Sequence, residues 1–311
     1  MSRVRLAARA LRLALNKAHA DPTADYDAAS GDYDAFFSPV MGRHSIAALD
    51  AVPVAPGDTV VELACGTGHL TEEIVRRLNG RGAVHAVDKS PGMLRVAKEK
   101  VLPHASAALH IELSEGDMDA FVQAQPSASA DLVVVGWAIC YTKPTRLLAE
   151  IERVLRPGGR VVVIETRADA HRALTESLER IFADDPSLLT GLIRVTLPKD
   201  AATVARWFVK AGLAVDVQRE GAQTIPAHTP EDAVEWVQRS GAAAGFKTAV
   251  DSAREQLVLD RIAAGLGEIL AQQGVLDIQH TFVVVAGTKP VNSTASTAVR
   301  RRSGDEEASV V

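Results

Sequence analysis

The strongest constraint on the fold is a rhythm. Five short, mostly β-branched runs, "DTVVEL" (58–63), "AVHAV" (83–87), "LHIEL" (109–113), "DLVVVGW" (131–137) and "RVVVIE" (160–165), are interleaved with helix-like stretches such as 69–79, 91–100 and 143–155. A parallel strand cannot be reached through a tight turn, so a helix has to carry the chain back across the sheet. The alternation therefore predicts an α/β fold: a doubly wound, mostly parallel sheet with helices on both faces. In 143–155, Leu147, Leu148, Ile151, Val154 and Leu155 recur at the spacing of a helix face packed on a sheet. "RPGG" (156–159) then stops the helix and starts a strand. Later the rhythm changes. "LAVDVQR" (213–219) and "HTFVVVAG" (280–287) are strand-like, and the helix patterns at 228–241 and 251–274 lie between them. They predict a helical insertion at about 222–278, placed to cover a pocket at the carboxyl ends of the strands.

The central domain spans 41–290, between an N-terminal helix and lid segment (1–40) and a tail (291–311) that is small, polar and charge-blocked and reads as disordered. Residues 1–20 contain no acid, and Arg5, Arg9 and Arg12 recur on one helical face. They read as a helix lying on the domain or on an anionic surface, dispensable for chemistry; a mitochondrial transit peptide is the other reading. Cys65 and Cys140 provide neither a disulfide framework nor a metal cluster, so no metal is expected and a reducing, cytoplasmic compartment is favoured. The longest apolar run, 132–141, is too short to span a membrane. A net charge of -5 argues against a nucleic-acid partner, which needs a basic stripe.

Ligands of such sheets sit beyond the carboxyl ends of the strands, so the loop in "VVELACGTGHL" (60–70) marks the site. A P-loop would place Gly-Lys-Ser/Thr at its end, but Gly68 is followed by His69 and Leu70. A dinucleotide loop would have a third glycine where this chain has Thr71, and Glu62 suits a pyrophosphate poorly. S-adenosylmethionine fits better. It has no phosphate, its sulfonium and ammonium favour nearby acids, and its carboxylate can meet amides at a helix N-terminus. Glu62, Asp88 and Asp117 close three successive strands; Asp88 suits a ribose diol and Asp117 an adenine amino group.

"VVELACGTGHL", "AVHAVDKSPGML", "SEGDMDAF", "DLVVVGWAICYT" and "RVLRPGGRVVVIE" resemble, in order, the motifs of class I S-adenosylmethionine-dependent methyltransferases with small-molecule acceptors. The resemblance covers about 55–170 firmly and the rest of the sheet loosely. It implies a seven-stranded, Rossmann-like sheet whose last strand is antiparallel. It also implies that Glu62, Ala64, Gly66 and Gly68 surround the methionine end of the cofactor. Asp88 would hold the ribose, Lys89, Asp117 and Met118 the adenine, and Trp137 would face the substrate. Ala64 stands where the family often has glycine, which requires a negative φ there.

Methyl transfer needs alignment of donor and acceptor and exclusion of water, and a base only if the acceptor loses a proton. Tyr26, Tyr33 and Tyr141 are the chain's only tyrosines and are expected, with Trp137, to line the substrate pocket. Tyr141, His44 and His171 are the candidate catalytic groups. The Asn/Asp-Pro-Pro-aromatic turn of many base and glutamine methyltransferases is replaced by "GWAICYT". A small organic acceptor is left, methylated at oxygen (a carboxylate or phenol) or at carbon. A protein or RNA methyltransferase and a non-catalytic S-adenosylmethionine-binding protein remain the alternatives.

Overall fold

A computed structural model describes residues 2–242 and 244–291; the tail read at 291–311 lies, apart from Val291, outside the described residues. Seven strands form one sheet: β1 (Thr59–Leu63), β2 (Gly82–Asp88), β3 (Leu109–Glu115), β4 (Ala130–Gly136), β5 (Leu155–Thr166), β6 (Ala214–Thr224) and β7 (Gln279–Thr288). Their order is β3-β2-β1-β4-β5-β7-β6, with β7 antiparallel to both neighbours and the first five strands parallel. The order reverses between β1 and β4, so the loop after β1 opens at the switch point where ligands of such sheets bind.

Four helices precede the sheet: α1 (Ser2–Leu15), α2 (Pro22–Ala29), α3 (Tyr33–Phe36) and α4 (Arg43–Leu49). The crossovers are carried by α5 (His69–Leu78), α6 (Pro91–Val101), α7 (Met118–Ala124) and α8 (Pro144–Val154); α9 (Arg172–Asp184) and α10 (Ala201–Lys210) lead to β6. Between β6 and β7 lie α11 (Pro230–Arg239), α12 (Phe246–Ala249) and α13 (Glu255–Gln273). Adjacent strand residues feed opposite cores. Val60, Val134 and Val162 join one with α5, α6 and α9, whereas Val61, Val133 and Val163 join another with α8 and α10. This is why the central strands read as unbroken apolar runs. The predicted face of α8 is fully buried: Leu147, Leu148, Ile151 and Val154 are at 0% exposure.

Two boundaries differ. β6 continues past Arg219 to Thr224, which pairs with Gln279 of β7. β5 begins at Leu155, not Arg160, because Leu155 pairs with Ala130 before the register shifts and Arg160 pairs with Leu132. "RPGG" thus forms a bulge within the strand rather than a loop before it. Among the described residues no helix is long and apolar enough to cross a membrane.

Candidate active site

The turn after β1 is left-handed at three positions: Ala64 (φ 59), Gly66 (φ 55) and Gly68 (φ 81). The negative φ expected at Ala64 is therefore corrected, and the Cβ there costs about 1 kcal/mol. Gly68 is required twice over. Besides its φ, a Cβ would lie 3.1 Å from the Ala97 Cα, where α5 crosses α6. The loop is tied to the next strand by Asp88: the Gly66 amide donates to its Oδ2 at 2.8 Å and the Ser90 amide to its Oδ1 at 2.9 Å. Ser90, not Asp88, caps α6, its Oγ accepting from the Met93 amide. Asp117 caps α7 through Oδ1 alone, accepting from the Asp119 and Ala120 amides.

A cavity of about 430 Å³ opens here, lined by Ala64, Gly66, Asp88, Lys89, Asp117, Met118 and Trp137. Glu62 and Gly68 do not line it. Glu62 is buried at 2% exposure, its Oε2 has no hydrogen-bond partner, and desolvation raises its carboxyl to about 8. Burial also raises the carboxyl of Asp88.

A second cavity, about 400 Å³, shares Tyr26, Tyr33, Trp137 and Tyr141 with the first. The residues predicted for the substrate pocket thus form the seam between two spaces. The Tyr26 and Tyr141 hydroxyls lie 3.0 Å apart, and the Trp137 indole N–H donates to Ser45 Oγ at 2.8 Å. Beyond the seam the walls are largely apolar, with Phe37, Leu174, Val195, Val237 and Phe246, and among the described residues Glu165 is the one carboxylate. Glu165 accepts from the Cys140 amide (3.0 Å) and the Thr166 amide (2.7 Å), and its burial raises the carboxyl to about 7.

His171 lines this second cavity; His44 lines neither, packing on Phe282 with ring centroids 4.7 Å apart. Desolvation lowers His171 to about 4, so it is neutral near pH 7. Its ring lies 4.4 Å from that of His280, whose Nε2 is 3.0 Å from Thr166 Oγ1. Glu165 and His280 were missed from sequence, although a signal existed. Glu165 stands near the carboxyl end of a parallel strand, and an antiparallel last strand begins at that same edge. The segment 193–197, which walls the second cavity, carries no such signal.

The N-terminal segment is bound over both spaces by its aspartates. Asp27 Oδ1 accepts from the Gly92 amide (2.6 Å) and Ser90 Oγ (2.9 Å). Asp34 accepts from Thr67 Oγ1 in the glycine loop (2.6 Å) and pairs with Lys100. Asp25 accepts from the Gly245 amide (2.7 Å), and Asp32 pairs with Arg239. The same short segment grips the cofactor side and the insertion. His19 and Ala20, the last two residues of the stretch expected to be dispensable, also line the first cavity.

A methyltransferase-domain family model matches residues 60–159. Over 186 residues the chain is 31% identical to the demethylmenaquinone methyltransferase of Lactococcus lactis, an alignment covering 55% of this chain and 72% of that one. The chain belongs to the class I S-adenosylmethionine-dependent methyltransferases. This methyltransferase is also 26% identical, over 60% of its length and 79% of the relative's, to a ubiquinone/menaquinone biosynthesis C-methyltransferase of Hydrogenovibrio crunogenus. Its fold matches a solved structure described as a methyltransferase from Bacillus halodurans, with a TM-score of 0.53 and 15% identity over 80% of this chain and 99% of that one. S-adenosylmethionine is the cofactor, and a small organic molecule is the acceptor. The donor set suits that cofactor: acids flank the loop, one carries an orphaned oxygen, and no lysine waits for a phosphate in the glycine loop.

Proposed function

We propose that this methyltransferase methylates a ring carbon of a small, apolar, hydroxylated aromatic acceptor. The observation that carries the reading is the apolar second cavity, which meets the cofactor cavity at Tyr26, Tyr33, Trp137 and Tyr141 and has Glu165 as its one carboxylate among the described residues. S-adenosylmethionine supplies an electrophilic methyl group on a cationic sulfonium. Asp88 would hold the ribose diol with the lone pairs that its two backbone bonds leave free. Asp117 Oδ2 and Met118 would hold the adenine, with the Lys89 stem beside them in the cavity wall. Glu62, beneath the loop and outside the cavity lining, would favour the cationic methionine end through its orphaned Oε2.

In the second cavity the apolar walls hold the ring and exclude water. Glu165 takes the acceptor's hydroxyl proton, which raises the electron density on the attacking ring carbon. That carbon would gain the methyl group as its bond to sulfur breaks, S-adenosylhomocysteine would leave, and the carbon's own proton would move to the ring oxygen. Its carboxyl near 7 is matched to that task at neutral pH. Neutral His171 and His280 flank the same wall and are suited to hydrogen-bond a ring oxygen. The insertion serves the acceptor: Val237 and Gly241, Phe246 of α12, and Ala242 and Ala244 line the cavity, while α13 packs behind on α9 and α11. The names of the relatives, a demethylmenaquinone methyltransferase and a C-methyltransferase, support carbon as the acceptor atom.

The test is incubation with methyl-labelled S-adenosylmethionine and, separately, 1,4-naphthohydroquinone, 1-naphthoic acid and a peptide library, with products identified by mass spectrometry. A C-methylated naphthohydroquinone is expected. An O-methyl ester of naphthoic acid, or labelled peptide alone, would overturn the reading.

A further inference from the structure

Helix α1 has two unlike faces. Leu13 is buried at 5% exposure, and the Arg9 Nε donates to the Leu189 carbonyl at 2.9 Å, fixing one face to the domain. On the other face Val4, Leu11 and Leu15, at helical spacing i, i+7 and i+11, are exposed by 73%, 63% and 75%. Scattered exposed apolar residues are ordinary; a stripe of them along one helix is not. Arg5, Arg12 and Lys17 flank it, all exposed, and no acid occurs before Asp21. Arg3 instead shares a groove with Glu176 and Glu179 of α9.

The end of this helix is joined to the mouth of the acceptor cavity. His19 bridges Leu192, and the Ala20 amide donates to the Leu192 carbonyl at 3.0 Å. The next residues, Ile193 and Val195, are exposed by 44% and 40% and also line the second cavity, with Arg194 between them. The chain that leaves the apolar, cation-flanked helix is thus bonded directly to an apolar, cationic rim.

We propose that the outer face of α1, continued by Ile193–Val195, docks on an anionic phospholipid bilayer. An apolar helical stripe flanked by arginine and lysine is the pattern of a helix lying in the membrane interface. Charge selects this occupant: a symmetric second copy would set these cations against their own equivalents, whereas acidic headgroups neutralise them. The chain's net charge of -5 makes the helix the part suited to such a surface. Docking stands on these residues alone; that an apolar acceptor enters the cavity from the lipid rests on the function proposed above.

Co-sedimentation with vesicles tests the docking without any acceptor. The full chain is expected to sediment with phosphatidylcholine/phosphatidylglycerol vesicles, not with phosphatidylcholine alone, and to be released by about 0.5 M salt. Leu11→Glu with Leu15→Glu is expected to weaken binding at least about tenfold, and Arg5→Gln, Arg12→Gln and Lys17→Gln together about a hundredfold. The rise in Tm with S-adenosylhomocysteine, unchanged in both variants, reports that they are folded. Three results would overturn the proposal: no binding to anionic vesicles, binding unaffected by either set, or a dimer in ultracentrifugation that Leu11→Glu with Leu15→Glu dissociates.

Discussion

The hydroxyls of Tyr26 and Tyr141 meet at 3.0 Å across the seam between the two cavities, joining α2 of the N-terminal segment to the turn after β4. Both residues are half-buried, and desolvation raises both phenols above their ordinary value, so they stay protonated and act as a hydrogen-bonded latch rather than as bases. Tyr141 was a candidate catalytic group from sequence; this environment gives it a positioning role. Tyr26→Phe and Tyr141→Phe are each expected to cost about 1 kcal/mol of stability. The double variant should cost less than the sum, because one bond is lost in all three. Urea denaturation of the four proteins measures the coupling; strict additivity would contradict the latch.

Glu62 makes the folded chain hold a proton. Its carboxyl is raised to about 8, from an ordinary 4.5, by desolvation. Between those values the unfolded chain has released the proton and the folded chain has not, so this group costs stability as pH rises. Glu62→Gln is expected to flatten that loss, by up to about 4 kcal/mol at pH 8. A cationic methionine end beside the carboxylate favours its ionised form, so binding of S-adenosylmethionine at pH 7 should release a proton. Calorimetry in two buffers of different ionisation heat measures the release. Methylthioadenosine, which lacks the ammonium and the sulfonium, should release none.

Glu165 is expected to appear in the rate profile. With its carboxyl near 7, kcat/KM for the acceptor should rise with pH through about that value as the base ionises. Glu165→Gln should remove the limb and lower kcat by about 10²–10⁴-fold. The variant's amide cannot accept both backbone N–H groups, so a loss of about 1–3 kcal/mol in stability is expected as well. Retained S-adenosylhomocysteine binding separates lost chemistry from lost fold. A limb near pH 7 that survives the substitution would reject Glu165 as the base.

Truncation separates the N-terminal helix from the lid. Removing residues 2–16 takes away Leu13 and the Arg9 bond, at about 2–3 kcal/mol of stability, but leaves His19 and every aspartate clamp. Cofactor affinity in solution should change by less than about threefold, roughly 0.65 kcal/mol. Removing residues 2–38 takes Asp27 and Asp34 from Ser90, Gly92 and Thr67, and both tyrosines from the seam. S-adenosylhomocysteine should then no longer raise Tm. Equal loss in both truncations would contradict the division.

The sheet was legible because its causes are local. β-branched runs, helical apolar spacing and the glycine turn act over a few residues, so 109–113 and 280–287 fall within β3 and β7 and the apolar face of 143–155 is buried as read. The acids at the ends of β1, β2 and β3 were legible for the same reason: a strand's carboxyl end is a place known from connectivity alone. Tertiary structure decided what depends on residues brought together from far along the chain. Tyr26 finds Tyr141 only once α2 lies over the sheet. The αL turn at Ala64 is imposed by the strand and helix that it joins, and overrides the preference of alanine. Glu165 shifts to about 7 because the second cavity's walls, drawn from α2, α9, the insertion and β7, desolvate it. Propensity is short-ranged; burial, and therefore charge state, is a property of the assembled neighbourhood.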